Sequence, residues 1–138
     1  MRNPLIAVAG VVVAASVAGC TQPQSMPRKA AHLTIDGSAH ETRPPTCSQE
    51  QAYRAIDISD RGGHVEAVVL LSGYRAVPQW VKIRDIDGFT GSYWKGGVGE
   101  AHAEVTNDAY TISGNAYGMN SSNPNKVVTT GFTITAKC

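Results

Sequence analysis

The chain has 138 residues, a formal net charge of +1, 17% charged residues and three cysteines. That is the length of one domain. So even a charge balance excludes the field that gathers nucleic acid, and no block of like charge offers a binding tail.

Arg2 is the first charge, and an apolar run follows from Leu5 to Val17. A basic start, an apolar segment and small residues make a secretory signal. The run is shorter than the roughly 20 residues a spanning helix needs. Cys20 directly follows Val17-Ala18-Gly19, and Val-Ala-Gly-Cys looks like a bacterial lipobox. In that motif the cysteine sulfur takes a diacylglyceryl group, and the chain is cut before the cysteine. Small Ala18 and Gly19 let a peptidase approach the backbone. Buried acyl chains contribute about 0.8 kcal/mol per methylene, and two or more hold a protein stably. The expectation is a cleaved signal peptide over 1–19 and lipid attachment at Cys20. It places the mature chain at the extracytoplasmic face of the cell membrane.

Residues 20–31 carry prolines and no apolar periodicity, so they form a flexible tether. Its extended reach is at most about 36 Å. With Cys20 taken by lipid, Cys47 and Cys138 are an even pair in an oxidising compartment, and a disulfide is expected. A metal pair would need more ligands at short spacing than either cysteine has.

From His32 to Cys138 the pattern is short alternating runs. Leu33 to Ile35 alternates, and Asp36-Gly37 supplies a hairpin turn into a return strand over Ser38 to Thr42. Arg43-Pro44-Pro45 stops it. Ser48 to Ala52 is expected to make one short helical turn. Tyr53 to Ser59 alternates, and Asp60 to Gly63 turns the chain. The run Ala67 to Leu71 suits a strand buried on both faces or facing a cleft. A looser stretch leads to Pro78, then Trp80 to Ile86 alternates. Asp87-Gly88 turns into Phe89 to Trp94, and Lys95 to Gly99 is a glycine-rich loop. Glu100 to Thr106 and Tyr110 to Tyr117 alternate across an Asn107-Asp108 turn. Met119 to Asn125 reads as a loop. In the last strand Phe132, Ile134, Ala136 and Cys138 share the core face. Short strands with turns every eight to twelve residues predict an all-β fold, a small antiparallel β-sandwich or curled sheet. The Cys47–Cys138 bridge closes a loop of roughly 90 residues and is expected to pin the C-terminus to an early strand.

The chain resembles the mycobacterial 19-kilodalton lipoprotein antigen (LpqH) family. The resemblance spans the lipobox and nearly all of the mature domain. It is densest in Ile86-Asp87-Gly88-Phe89-Thr90, Tyr110-Thr111-Ile112-Ser113-Gly114-Asn115-Ala116 and the ending Phe132 to Cys138. Thr46-Cys47 and the final cysteine fit the family's pair. The resemblance implies an acylated envelope lipoprotein without enzyme activity, displayed and sensed by host innate receptors. The family's long Thr/Ser/Ala-rich tether is absent, with only Thr21 and Ser25 as acceptors, so glycosylation is not carried over.

No catalytic set emerges. His32, His40, His64 and His102 are scattered. Arg84 to Gly88 is a fragment of a calcium loop without its closing glutamate. Gly96-Gly97-Val98-Gly99 precedes no helix and is no phosphate cradle. Glu100 and Glu104 share a strand face without an apolar pocket. Trp80, Tyr93 and Trp94 are either core or ligand-stacking aromatics. The expected function is a non-enzymatic envelope lipoprotein, an adhesin or antigen, with the membrane and a host pattern-recognition receptor as partners. It has no cofactor, metal or nucleic acid, and a monomeric domain. The alternative is a lipid or glycolipid carrier with a cleft lined by Ala67 to Leu71.

Overall fold

In the computed structural model, Gly19 and residues 28–138 are described. The expected signal peptide up to residue 18, the expected lipid-attachment residue Cys20 and the expected tether up to Pro27 fall outside the described residues. Ten strands follow in chain order: β1 His32–Ile35, β2 Ser38–Glu41, β3 Thr46–Glu50, β4 Tyr53–Asp60, β5 Gly63–Ser72, β6 Arg75–Ile86, β7 Phe89–Trp94, β8 Glu100–Thr106, β9 Ala109–Asn120 and β10 Asn123–Lys137. The fold is all-β, as the alternating runs require. Hairpin turns sit where the Asp-Gly pairs stand. Asp36 and Gly37 have φ of 48° and 77°, and Asp87 and Gly88 have 51° and 76°. Two successive positive φ values match the right-handed twist of the flanking strands, and glycine takes the second at no steric cost.

All strands join one antiparallel sheet, in the order β2-β1-β10-β9-β7-β6-β5-β4-β3. β8 lies off that path. β7 and β8 share one slot between the long strands β6 and β9. β7 pairs β6 at Trp80 to Ile86, and β8 meets β6 at Ala76. Across the slot β9 pairs β8 through Ala109 to Asn115, then β7 through Tyr117 to Asn120. The glycine-rich loop at 95–99 is the break between the two halves.

The sheet curls around one core. Leu33, Ile35, Ile56, Ile58, Val65, Ala67, Val69, Val81, Ile83, Phe89, Ile112, Phe132 and Ile134 are nearly solvent-free. The two edges of the curl, β2 and β3, share no ladder. The disulfide Cys47–Cys138 ties β3 to the end of β10, with Cα atoms 5.8 Å apart across 91 residues of sequence. The separation is ordinary for a disulfide.

Three expectations need correcting. Ser48 to Ala52 is not helical. Ser48, Gln49 and Glu50 pair with Ala55, Arg54 and Tyr53, and Gln51 turns the chain with φ 54°. The polar residues there are exposed on an edge strand, so no apolar stripe was available to tell strand from helix. The stretch before Trp80 is already strand. Pro78 sits buried inside β6 opposite Val69, where the β5–β6 register shifts. A missing N–H is tolerated at such an irregularity. Met119 to Asn125 is mostly strand, because β9 runs to Asn120 and β10 begins at Asn123. β10 ends at Lys137, and Cys138 carries the ladder one step further, its N–H donating to Asp108 O at 2.9 Å while its bridge partner Cys47 packs against the core.

Candidate functional site

The run Ala67 to Leu71 divides by strand parity. Ala67 and Val69 enter the packed core, Leu71 packs at its edge, and Val68 and Leu70 are half-buried on the outer face. Val68 borders a surface hollow of about 370 Å³ together with Tyr53 and Ala55. A surface hollow of about 560 Å³ lies between β8 and the start of β6. It is lined by the fully exposed Tyr74 with Arg75, Val77, His102 and Glu104. Its walls are too mixed for an acyl chain, which needs apolar lining.

The histidines stay apart. His40, on β2, reaches elements with which its strand shares no ladder. Its Nε2 lies 2.6 Å from Asp87 Oδ2 and its Nδ1 lies 3.6 Å from Asp60 Oδ2. These carboxylates come from the tips of the β6–β7 and β4–β5 hairpins, so His40 clips the seam of the curl. His64 Nε2 lies 3.3 Å from Asp57 Oδ1, and His102 Nε2 lies 3.4 Å from Glu104 Oε1 on the exposed face of β8. His32 is exposed. Among the described residues, no group of three His, Cys, Asp or Glu side chains could hold a metal. Glu100 and Glu104 are both exposed.

The three aromatics split. Tyr93 points inward, is 6% exposed, and donates its hydroxyl to Pro78 O at 3.2 Å. Burial pushes its pKa up, because the core disfavours a phenolate. Trp80 and Trp94 face out, directly opposite each other on β6 and β7. Trp94 is 48% exposed. The Lys82 ammonium lies 4.6 Å from the Trp80 ring centroid and 5.7 Å from that of Trp94. Cation–π attraction holds it there. Exposed Tyr117 and Met119 continue the surface on β9, and exposed Tyr53 bounds it on β4. The sequence left Tyr93 and Trp94 undivided between core and surface, and strand parity separates them. The pairing of Trp80 with Trp94 was not legible, since register depends on the bulges in β6.

Residues 24–138 match the family described as Mycobacterium 19 kDa lipoprotein antigen. The chain belongs to this family. A protein of Mycobacterium tuberculosis (strain ATCC 25618 / H37Rv) named "Probable lipoprotein LppE" is 58% identical over 140 residues, covering all of both chains. A "Putative lipoprotein" of Mycobacterium indicus pranii is 33% identical over the whole of both chains. A third, from Mycobacterium avium subsp. hominissuis, is 31% identical over all of this chain and 97% of its own. None of these names is an enzyme's. Membership of the 19 kDa lipoprotein antigen family implies a membrane-anchored protein of the cell envelope.

Proposed function

We propose that this member of the family is a non-enzymatic lipoprotein held at the extracytoplasmic face by acylated Cys20. Its stimulation of host innate receptors would reside in that acylated terminus. The observation that carries the reading is the Val17-Ala18-Gly19-Cys20 lipobox, standing ahead of a chain whose family and relatives are lipoproteins. The chain enters the domain at Arg28, whose guanidinium donates to Pro45 O at 3.3 Å beside the β3 edge. The seven residues from Thr21 to Pro27 reach about 24 Å at full extension. The domain is thereby kept close above its membrane. A receptor that buries acyl chains gains the per-methylene energy that anchors the protein, and reads only the first residues beside them. The packed core around Ala67 and Val69 gives no support to a carrier cleft there.

The test is a reporter cell line bearing a lipoprotein-sensing receptor. It is given the intact lipoprotein, the Cys20→Ala protein, and an acylated peptide ending at Gln24. The peptide is expected to match the intact protein and the alanine variant to be silent. The same variant is expected to leave the membrane in a high-salt wash. An active Cys20→Ala domain, or its retention by washed membranes, defeats the reading.

A further inference from the structure

The outer face of β5, β6, β7 and β9 carries two adjacent rows of side chains that run across the strands. One row holds Val68, Trp80 and Trp94, which are register partners. The next, two residues along each strand, holds Glu66, Lys82, Ser92 and Tyr117. Two residues of strand separate the rows by about 7 Å, and the polar row spans about 14 Å over three inter-strand spacings. An apolar shelf thus runs beside a ledge of hydrogen-bonding groups. The ion pairs among the described residues all involve histidine, so Lys82 and Glu66 form none. The ammonium is held by two indole faces instead. Its N–H groups and the Glu66 carboxylate are left for a ligand.

We propose that this face is a platform for neutral polysaccharide of the protein's own envelope. Lys82 lies closer to Trp80, so the 48% exposed Trp94 indole carries the stacking surface, and its negative π-face attracts the weakly positive C–H faces of pyranose rings. Lys82 donates to sugar hydroxyls, Glu66 accepts from them, and Ser92 and Tyr117 do either. The charge pattern selects the class. One carboxylate offsets one ammonium in the polar row, so a polyanion gains no net attraction. On this face the carboxylates of Glu66 and Asp57 offset the cations Lys82 and Arg84, so an anionic lipid surface gains no net attraction either. A polyol that needs donors and acceptors together fits both rows. The choice of source rests on the anchoring proposed above, since a short tether holds the platform among the polymers of that envelope. Binding itself does not need the anchor, so the two readings fail separately.

Trp80 and Trp94 are the only tryptophans of the chain, so indole emission reports this face alone. The acylated protein, in micelles of a detergent without a sugar headgroup, is titrated with soluble mannan, galactan and α-glucan. A sialylated complex glycan serves as the host-type arm, and phosphatidylglycerol vesicles as the membrane arm. A saturable emission change with a neutral polysaccharide is expected. Affinity electrophoresis, which does not depend on tryptophan, is expected to show roughly tenfold weaker binding for Trp94→Ala. Glu66→Gln should bind more weakly too, and Tyr74→Ala, away from the face, should bind like the parent. Circular dichroism checks that each variant is folded. No saturable response to any neutral polysaccharide overturns the proposal. Undiminished binding by both folded variants also overturns it, as does a response confined to the vesicles or to the sialylated glycan.

Discussion

Tyr93 shows how much one position can carry. Strand parity sends it inward while Trp94, one residue on, faces solvent. Its hydroxyl then needs a partner in the core, and Pro78 O supplies it. Tyr93→Phe leaves that carbonyl without its donor and is expected to cost about 1 kcal/mol in urea unfolding at neutral pH. The same residue sets an alkaline limit. Its pKa is raised in the folded protein, so folding holds the proton more tightly than the unfolded chain does. The stability linked to it is complete below the ordinary tyrosine value of about 10 and is lost as pH climbs through the raised value. Unfolding midpoints measured at neutral pH and above 10 should therefore converge between parent and Tyr93→Phe. A gap that stays constant with pH counts against this account. At this scale the sequence was legible wherever parity was clean. It did not show that Ser48 to Glu50 pair as a strand, because exposed polar residues mark no face.

At the scale of elements, the shared slot of β7 and β8 is the unusual feature. Both short strands press against β9, and glycines make room for them. Gly118 on β9 stands opposite Gly91 on β7. A Cβ on Gly118 would strike the Thr90 carbonyl oxygen and the Gly91 Cα, both backbone atoms that cannot swing aside. Gly118→Ala is expected to cost about 1–3 kcal/mol, as overpacking does. Gly37→Ala is the contrast. Its Cβ would meet open space, and the cost comes only from the positive φ, about 1–2 kcal/mol. Replacing Gly118 should also loosen the β7–β9 ladder, read as faster amide exchange at Ser92 and Tyr117. Exchange at the β1–β2 hairpin should not change. Equal effects on both hydrogen-bond ladders would overturn the local explanation. Hairpin ends at Asp-Gly pairs were visible in the sequence because backbone sterics act within two residues. The slot was not visible. A strand broken by a loop and continued beyond it looks like two ordinary strands until their common neighbours are known.

For the whole molecule, the question is what keeps a ten-stranded sheet curled when its edges do not pair. Two connections cross the gap: the disulfide, and the His40 contacts with Asp60 and Asp87. The half-exposed His40 pairs are worth little, as partly solvated ion pairs are. The disulfide is the larger of the two. It spans 91 residues, most of the domain, and removes from the unfolded chain an entropy worth about 4–5 kcal/mol in the chain-closure account. The pairing followed from counting cysteines. What it joins did not, since closure depends on how a sheet twists over many strands. Cys47→Ser with Cys138→Ser is expected to lower Tm by roughly 10–20 °C. Native-state exchange should rise first in β3 and the last residues of β10, the two elements the bond holds, before β5 and β6 respond. His40→Ala should shift Tm by only a few degrees, because it removes side-chain pairs without releasing a chain end. A double-serine protein that melts with the parent, or that opens first at β5 and β6, would mean that the core alone holds the curl closed.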